Sequence, residues 1–217
     1  MDNRRRAAAG SRTVADVRWD RFFEDLEDQL DSEWEAERAA LDSEAERLRL
    51  ARMPLIRRLR ALTADPVPTL SLALADGTTL SGRATAVGAD WIGMALAETR
   101  AGAAVLPVDA LAGIGMPQSD ILRSARADPA APPAGLAERM TLGFVLRGLA
   151  RRRIPVTVHL RTGRTIPGTI DRALADHLDL AVHDPGQPRR ADAVTAVRMI
   201  PFPALAWVRL ESPLALV

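Results

Sequence analysis

The chain has 217 residues, a formal net charge of +1 and 29 basic residues, all of them arginine; lysine, cysteine and tyrosine are absent. Without cysteine there is no disulfide framework, no thiolate nucleophile and no Cys-ligated zinc site, and three histidines leave little for metal centres or triads. No apolar run approaches the ~20 residues of a membrane-spanning helix, and no secretory signal pattern opens the chain, so a cytoplasmic bacterial protein is expected.

Residues 1–12 read as a disordered tail, because Arg4, Arg5 and Arg6 sit among Ala, Gly and Ser with nothing to bury. Thr13 to Asp16 approximates a capping box and opens a helix. Trp19, Phe22, Phe23, Leu26, Leu30, Trp34, Leu41 and Leu48 then recur mostly at helical spacing. The run lasts to about Arg52, and Pro54 stands at the first turn of a further short helix. Residues 14–46 hold 13 acids against three arginines, whereas 47–60 hold six arginines and no acid. A helix over 14–52 is roughly 58 Å long at 1.5 Å per residue, longer than a small domain is wide. This charge split suits an antiparallel copy, so the 13–65 segment is read as coiled-coil-like, a homo-oligomerisation element with Trp34 and Leu41 as partner contacts; the alternative is a solvated amphipathic helix lying along its own domain.

After Pro66 the apolar period changes to two. Leu70, Leu72 and Leu74 alternate with small residues before the turn at Asp76-Gly77. Strands are expected at 79–86 and 90–98, and a further one from about 104 to 116. Residues 117–133 read as a linker, 134–152 as a helix ending in Arg151, Arg152 and Arg153, and strands resume at Val156.

The most informative feature is an internal repeat. Residues 70–97 align without a gap with 156–183 at an offset of 86. Leu70, Leu72 and Leu74 match Val156, Val158 and Leu160; Gly77 matches Gly163; Gly82 matches Gly168; Ala89-Asp90 matches Ala175-Asp176. After a loop three residues shorter, Asp109-Ala110-Leu111 matches Asp192-Ala193-Val194. Each unit is a helix ending in arginines followed by about five short strands, with glycines where a short sheet must bend.

The pattern apolar-x-apolar-x-Leu-x-x-Gly, followed by x-x-apolar-x-Gly-x-apolar, resembles the Sm-like (LSm) family. Residues 144–170, FVLRGLARRRIPVTVHLRTGRTIPGTI, are similar to the start of its bacterial RNA-chaperone branch, Hfq. The stretch from Ala193 to Pro201 is similar to that family's fourth strand. Asp192-Ala193 stands where those chaperones carry Lys-His, and the Arg-Gly of the other Sm branches is missing. The resemblance implies an α+β fold: a long N-terminal helix followed by two tandem Sm-like (SH3-like) five-stranded small β-barrels, each preceded by a helix. The barrels would occupy 66–116 and, with the helix, 134–210, leaving a tail at 211–217.

Residues 136–217 hold 12 arginines and 7 acids, whereas 66–135 hold 4 and 6. Arg151, Arg152, Arg153, Arg161, Arg164, Arg189 and Arg190 are therefore the candidate nucleic-acid contacts, with Arg172 and Arg198 in the same expected basic patch, since a guanidinium donates a fork of hydrogen bonds to phosphate. His177, Asp179 and His183 share one strand face and are read as a polar surface, not a metal site; His159 is also read as surface. Trp91 is either a packing residue at a strand bend or an anchor for a partner, and joins Trp34 and Leu41 as a candidate partner contact. No nucleophile elbow, P-loop or dinucleotide fingerprint is present. The expectation is a non-enzymatic protein with no cofactor and no small-molecule substrate, binding nucleic acid, RNA first, through its second repeat. The alternative is a protein–protein scaffold built on the long helix and the barrel edges.

Overall fold

The computed structural model describes residues 14–97, 102–126, 135–185 and 189–210; the expected tails at 1–12 and 211–217 lie outside them. The chain divides into two units at Arg52/Met53. The first contains the helix α1, Val14–Ala51. Leu30, Trp34 and Leu41 are exposed along it, the last two at 58% and 64%. Ion pairs one turn apart, Arg47–Glu44 at 3.7 Å and Arg49–Glu46 at 2.6 Å, lie along its last turns; exposed pairs of this kind are screened by solvent and add little.

The second unit, from Met53 on, begins with α2 (Leu55–Ala61) and continues with β1 (Thr69–Leu74), β2 (Thr79–Val87), β3 (Trp91–Leu96), β4 (Ala103–Pro107) and β5 (Leu111–Gly115). Three helices follow, α3 (Gln118–Ala125), α4 (Leu136–Arg139) and α5 (Leu142–Arg152), then β6 (Pro155–Leu160), β7 (Thr165–Ala173), β8 (His177–Val182), β9 (Ala196–Pro201) and β10 (Leu205–Leu210). The expectation of two separate five-stranded Sm-like barrels behind a long coiled-coil helix is overturned. All ten strands form one open antiparallel sheet in the order β5-β1-β2-β3-β4-β10-β6-β7-β8-β9. Closing a barrel within each half requires each half to satisfy its own edges. Instead β4 of the first half pairs with β10 of the second: Val105 opposes Val208, Ala104 opposes Arg209 and Ala103 opposes Leu210. Five short strands bury too little on their own, and joining the halves covers one edge of each.

The gap-free part of the repeat, 70–97 on 156–183, is reproduced in three dimensions, but the match of Asp109-Ala110-Leu111 with Asp192-Ala193-Val194 is not. Asp109 lies in the turn after β4 and Asp192 before β9, so the second half has the longer loop and Phe202–Ala204 is the counterpart of Val108–Ala110. The β1–β2 and β6–β7 hairpins both turn through a glycine in the left-handed region, Gly77 (φ 85°) and Gly163 (φ 79°). The β2–β3 and β7–β8 ladders are interrupted at equivalent places, Ala84/Ala86 and Ile170/Arg172. Gly82 and Gly168 lie so close to the neighbouring strand that a Cβ would stand 2.1 Å from the Ala95 oxygen and 2.2 Å from the Ala181 oxygen. The strand expected over 104–116 is two strands, because Val108–Ala110 forms a 3-10 turn after Pro107. This reversal sends β4 to β10 and β5 to β1. Phe202–Ala204 makes the same turn before β10. The expected linker contains α3, tied to α2 through Arg58, which donates to Ser124 Oγ and the Ile121 carbonyl. The expected 134–152 helix is broken ahead of α5.

Two apolar cores result, and each borrows from the other half. Trp91, Ala103 and Val105 of the first half pack with α5 and the second half's strands. Ala206 and Trp207 of β10 pack in the core of the first half. Trp91, a candidate partner anchor from the sequence, is 2% exposed and donates from Nε1 to the Met140 carbonyl at 2.9 Å. Asp90 beside it accepts from the Leu142 N–H at 2.7 Å, capping α5. On the other side of the junction His159 is stacked on Trp207, with ring centroids 3.8 Å apart, rather than lying free on the surface. Burial holds its pKa below the usual 6.5, with Asp76 opposing and Arg209 adding to the depression.

Two outcomes follow from this packing. Gly82→Ala and Gly168→Ala each meet a backbone carbonyl that cannot swing aside, so each should lower the unfolding free energy by about 1–3 kcal/mol in denaturant titration. Because His159 titrates lower folded than unfolded, the unfolded chain binds more protons between the two values. Stability is then full above about pH 6.5 and falls as pH drops toward the folded pKa. His159→Phe, which keeps the stack and removes the proton, should show a smaller drop in denaturation midpoint between about pH 7 and pH 5.

Candidate nucleic-acid interface

The helix α5 is positioned by what its sequence buries. Leu142, Leu146 and Leu149 face the core and are nearly inaccessible. This places Phe144, Arg147 and Arg151 on the outer side, the first 46% exposed. The helix ends in a Schellman-type arrangement, with Arg153 N–H donating to Ala150 O at 3.1 Å and Ile154 N–H to Leu149 O at 3.2 Å. Arg153 occupies the left-handed position (φ 51°, ψ 41°) that glycine usually fills, and it is the one non-glycine with positive φ among the described residues. An L side chain there costs roughly 1–2 kcal/mol.

Beside this helix end, the outer part of β7 completes a cleft of about 460 Å³ lined by Phe144, Arg147, Arg151, Arg153, Asp171 and Arg172. Its one acid is already neutralised. Asp171 receives a two-pronged ion pair from Arg189, with Nε at 2.5 Å and the outer nitrogen at 2.6 Å, and the carboxylate in turn holds the Arg189 guanidinium above its ordinary pKa. Arg147 donates to the Leu174 carbonyl at 3.3 Å. Arg151, Arg153 and Arg172 form no ion pair among the described residues. The cleft thus presents several guanidinium groups and one exposed aromatic ring, a setting that favours an anion bearing a flat ring.

The arginines expected to contact nucleic acid separate into groups. Arg151 and Arg153 line the cleft, and Arg152 between them reaches back to the Gly148 carbonyl at 3.4 Å. Arg189 stands at the cleft only as the partner of Asp171. Arg161 ties the two halves together instead, donating to Asp109 Oδ1 at 2.7 Å and to the Leu205 carbonyl at 3.1 Å. Arg164 is exposed in the β6–β7 turn, about 20 Å of strand from the start of β6. Arg190 is exposed in the loop before β9. Arg172, a member of the basic patch expected from the sequence, lines the cleft. Phe144 and Arg147 do not stand out as contacts in the sequence, and the hydrophobic stripe of α5, read outward, is the signal that points to them.

The arginines of α2, which resemble those of α5 in sequence, are used differently. Arg60 donates to the carbonyls of Gly88 and Glu138 and pairs with the Glu138 carboxylate at 3.4 Å. The His177, Asp179 and His183 face is not uniformly a surface. His183 is buried and bonds Thr169 Oγ1 at 2.9 Å, while His177 Nδ1 lies 2.7 Å from Asp176. No cluster of three metal-ligating side chains occurs among the described residues, and none of their helices is long and apolar enough to cross a membrane.

No family model, no curated protein and no solved structure matches this chain. The Sm-like resemblance therefore rests on the residues quoted for it.

Glycine at the helix end should relieve the left-handed strain. Arg153→Gly is expected to raise the unfolding free energy by about 1 kcal/mol, measured by denaturant titration.

Proposed function

We propose that this is a non-enzymatic, cytoplasmic protein that binds single-stranded nucleic acid, RNA first, through the cleft between α5 and β7. The observation that carries the reading is the convergence of Arg147, Arg151, Arg153 and Arg172 on one cleft beside the exposed ring of Phe144. Guanidinium groups neutralise phosphates and release counterions, and an aromatic face accepts an unstacked base without regard to its identity. The strain at Arg153 supports the same reading, because a left-handed arginine is retained where glycine is the stable choice.

Binding is to be measured by fluorescence anisotropy with short U-rich, A-rich and mixed RNAs and with DNA, at about 50 and 200 mM salt. The full chain is required, since β10 and α5 complete their packing with residues of the first half. Salt-sensitive binding is expected, and Arg151→Ala with Arg153→Ala should flatten the slope of log K against log salt by about one for each phosphate no longer neutralised. Phe144→Ala should cost about 1–3 kcal/mol of affinity with the slope unchanged. Arg153→Gly should bind more weakly while unfolding later, a split that a structural role for Arg153 does not produce. Absence of binding by the full chain at low salt would turn the reading to the scaffold alternative.

A further inference from the structure

The sheet ends in two unequal edges. On β9 the side chains of Val197 and Met199 are 63% and 71% exposed, an apolar row on an open strand edge, which proteins ordinarily blunt or cover. The internal repeat contains a paired counterpart of this edge. Through their equivalent pairings with β3 and β8, Ala103, Ala104 and Val105 of β4 correspond to Val197, Arg198 and Met199 of β9. Through their pairings with β1 and β6, Ile114 and Gly115 of β5 correspond to Val208 and Arg209 of β10, and Met116 follows as the counterpart of Leu210. Within the chain β4 and β10 pair, and Ala103 and Val105 are buried at 1% and 0%. Among the described residues, the corresponding β9 and β5 each keep one unpaired edge.

We infer that β9 of one copy of this chain pairs antiparallel with β5 of a second copy, reproducing the β4–β10 junction between molecules. The register follows from the internal one: Met199 opposes Ile114, Arg198 opposes Gly115, and Val197 opposes Met116 of the second copy.

Three further features fit that occupant. Ala103 and Val105 pack in one core with Leu142, Leu146 and Leu149 of α5. The corresponding leucines of α2, Leu55, Leu59 and Leu62, line an apolar groove of about 290 Å³ beside β5, which also exposes Ile114 and Met116 to it. Val197 and Met199 have the shape and polarity to fill that groove. Side-chain size is exchanged across the junction: inside the chain Arg209 lies against Ala104, and between copies Arg198 lies against Gly115, which has no side chain to displace. Lastly, the Ala89 N–H donates to the Met140 carbonyl at the internal junction. Its equivalent Ala175 has no backbone partner among the described residues, and Met53 precedes Pro54-Leu55 as Met140 precedes Thr141-Leu142. The contact is head-to-tail, so copies add in one direction into a closed ring or an open filament.

The chain has no native cysteine, so paired thiols report the register directly. Full-length Gly115→Cys and Arg198→Cys proteins, mixed and oxidised, are expected to give a covalent heterodimer on a non-reducing denaturing gel, because opposed Cα atoms in an antiparallel ladder lie within disulfide reach. The double variant should give a ladder of multimers. Gly115→Cys mixed with Arg164→Cys, on a distant hairpin turn, should give only background. Val197→Glu with Met199→Glu alters residues already exposed in the single chain, so circular dichroism should be unchanged while light scattering shows that the assembly has dissociated. Cross-linking of the 115/198 pair no greater than the 115/164 background, in protein that is folded by circular dichroism, overturns the inference. So does an assembly mass unaffected by the Val197→Glu, Met199→Glu variant.

Discussion

Pairing of β4 with β10 is the contact on which the rest of the second unit depends. It joins two five-stranded halves through a ladder whose side chains include Val105, Ala103, Val208 and Leu210, all nearly inaccessible. Because successive side chains alternate between faces, a strand at this seam serves both cores. Val208 and Leu210 pack in the second, and Trp207 beside Val208 packs in the first. Neither half therefore keeps its own apolar surface to itself. Removing one half strips the other of part of its core, so cooperative unfolding of the unit is the natural consequence of this exchange.

The same seam decides how arginine is used. The chain employs arginine for every basic role, structural and exposed alike. Arg60 and Arg58 hold α2 to the β2–β3 loop and to α3 by donating to carbonyls and a hydroxyl. Arg161 clamps the seam itself through Asp109 and the Leu205 carbonyl. Arg189 is taken up by Asp171. Once these are engaged, the guanidinium groups of Arg151, Arg153 and Arg172 remain around Phe144 without a carboxylate partner among the described residues. This remainder of charge, more than the arginine count, distinguishes the cleft.

The functional site is only partly legible in the sequence. Arg151 and Arg153 stand out because three consecutive arginines close an amphipathic helix, a local pattern. Arg172 emerges from comparing the two repeats, where Ala86 is its first-half equivalent, but its place beside the helix end is set only once the β7 hairpin has folded against α5. Arg161 looks equivalent to the others by charge alone, and its partner Asp109 is 52 residues away. Charge can be counted along a chain, whereas which charges neutralise one another depends on contacts between distant segments. Trp91 shows the same limit for apolar residues: its alternation places it opposite the first half's apolar stripe, and the second half covers that face.

By itself the sequence determined the local elements and their duplication. Apolar periods of two and of about three to four separated strands from helices, Gly77 and Gly163 marked turns that require positive φ, and the constant offset of 86 residues announced two copies of one unit. These are short-range properties of backbone sterics and side-chain spacing. Tertiary structure alone decided that the two copies share one sheet instead of closing separately, that the stretch from 104 to 116 divides at a 3-10 turn, and that α5 takes its cap from Asp90 of the other half. An edge strand of given sequence pairs equally well by hydrogen bonds with its own half or with another. The choice is made by which arrangement buries more apolar surface, a quantity that exists only once both halves are folded.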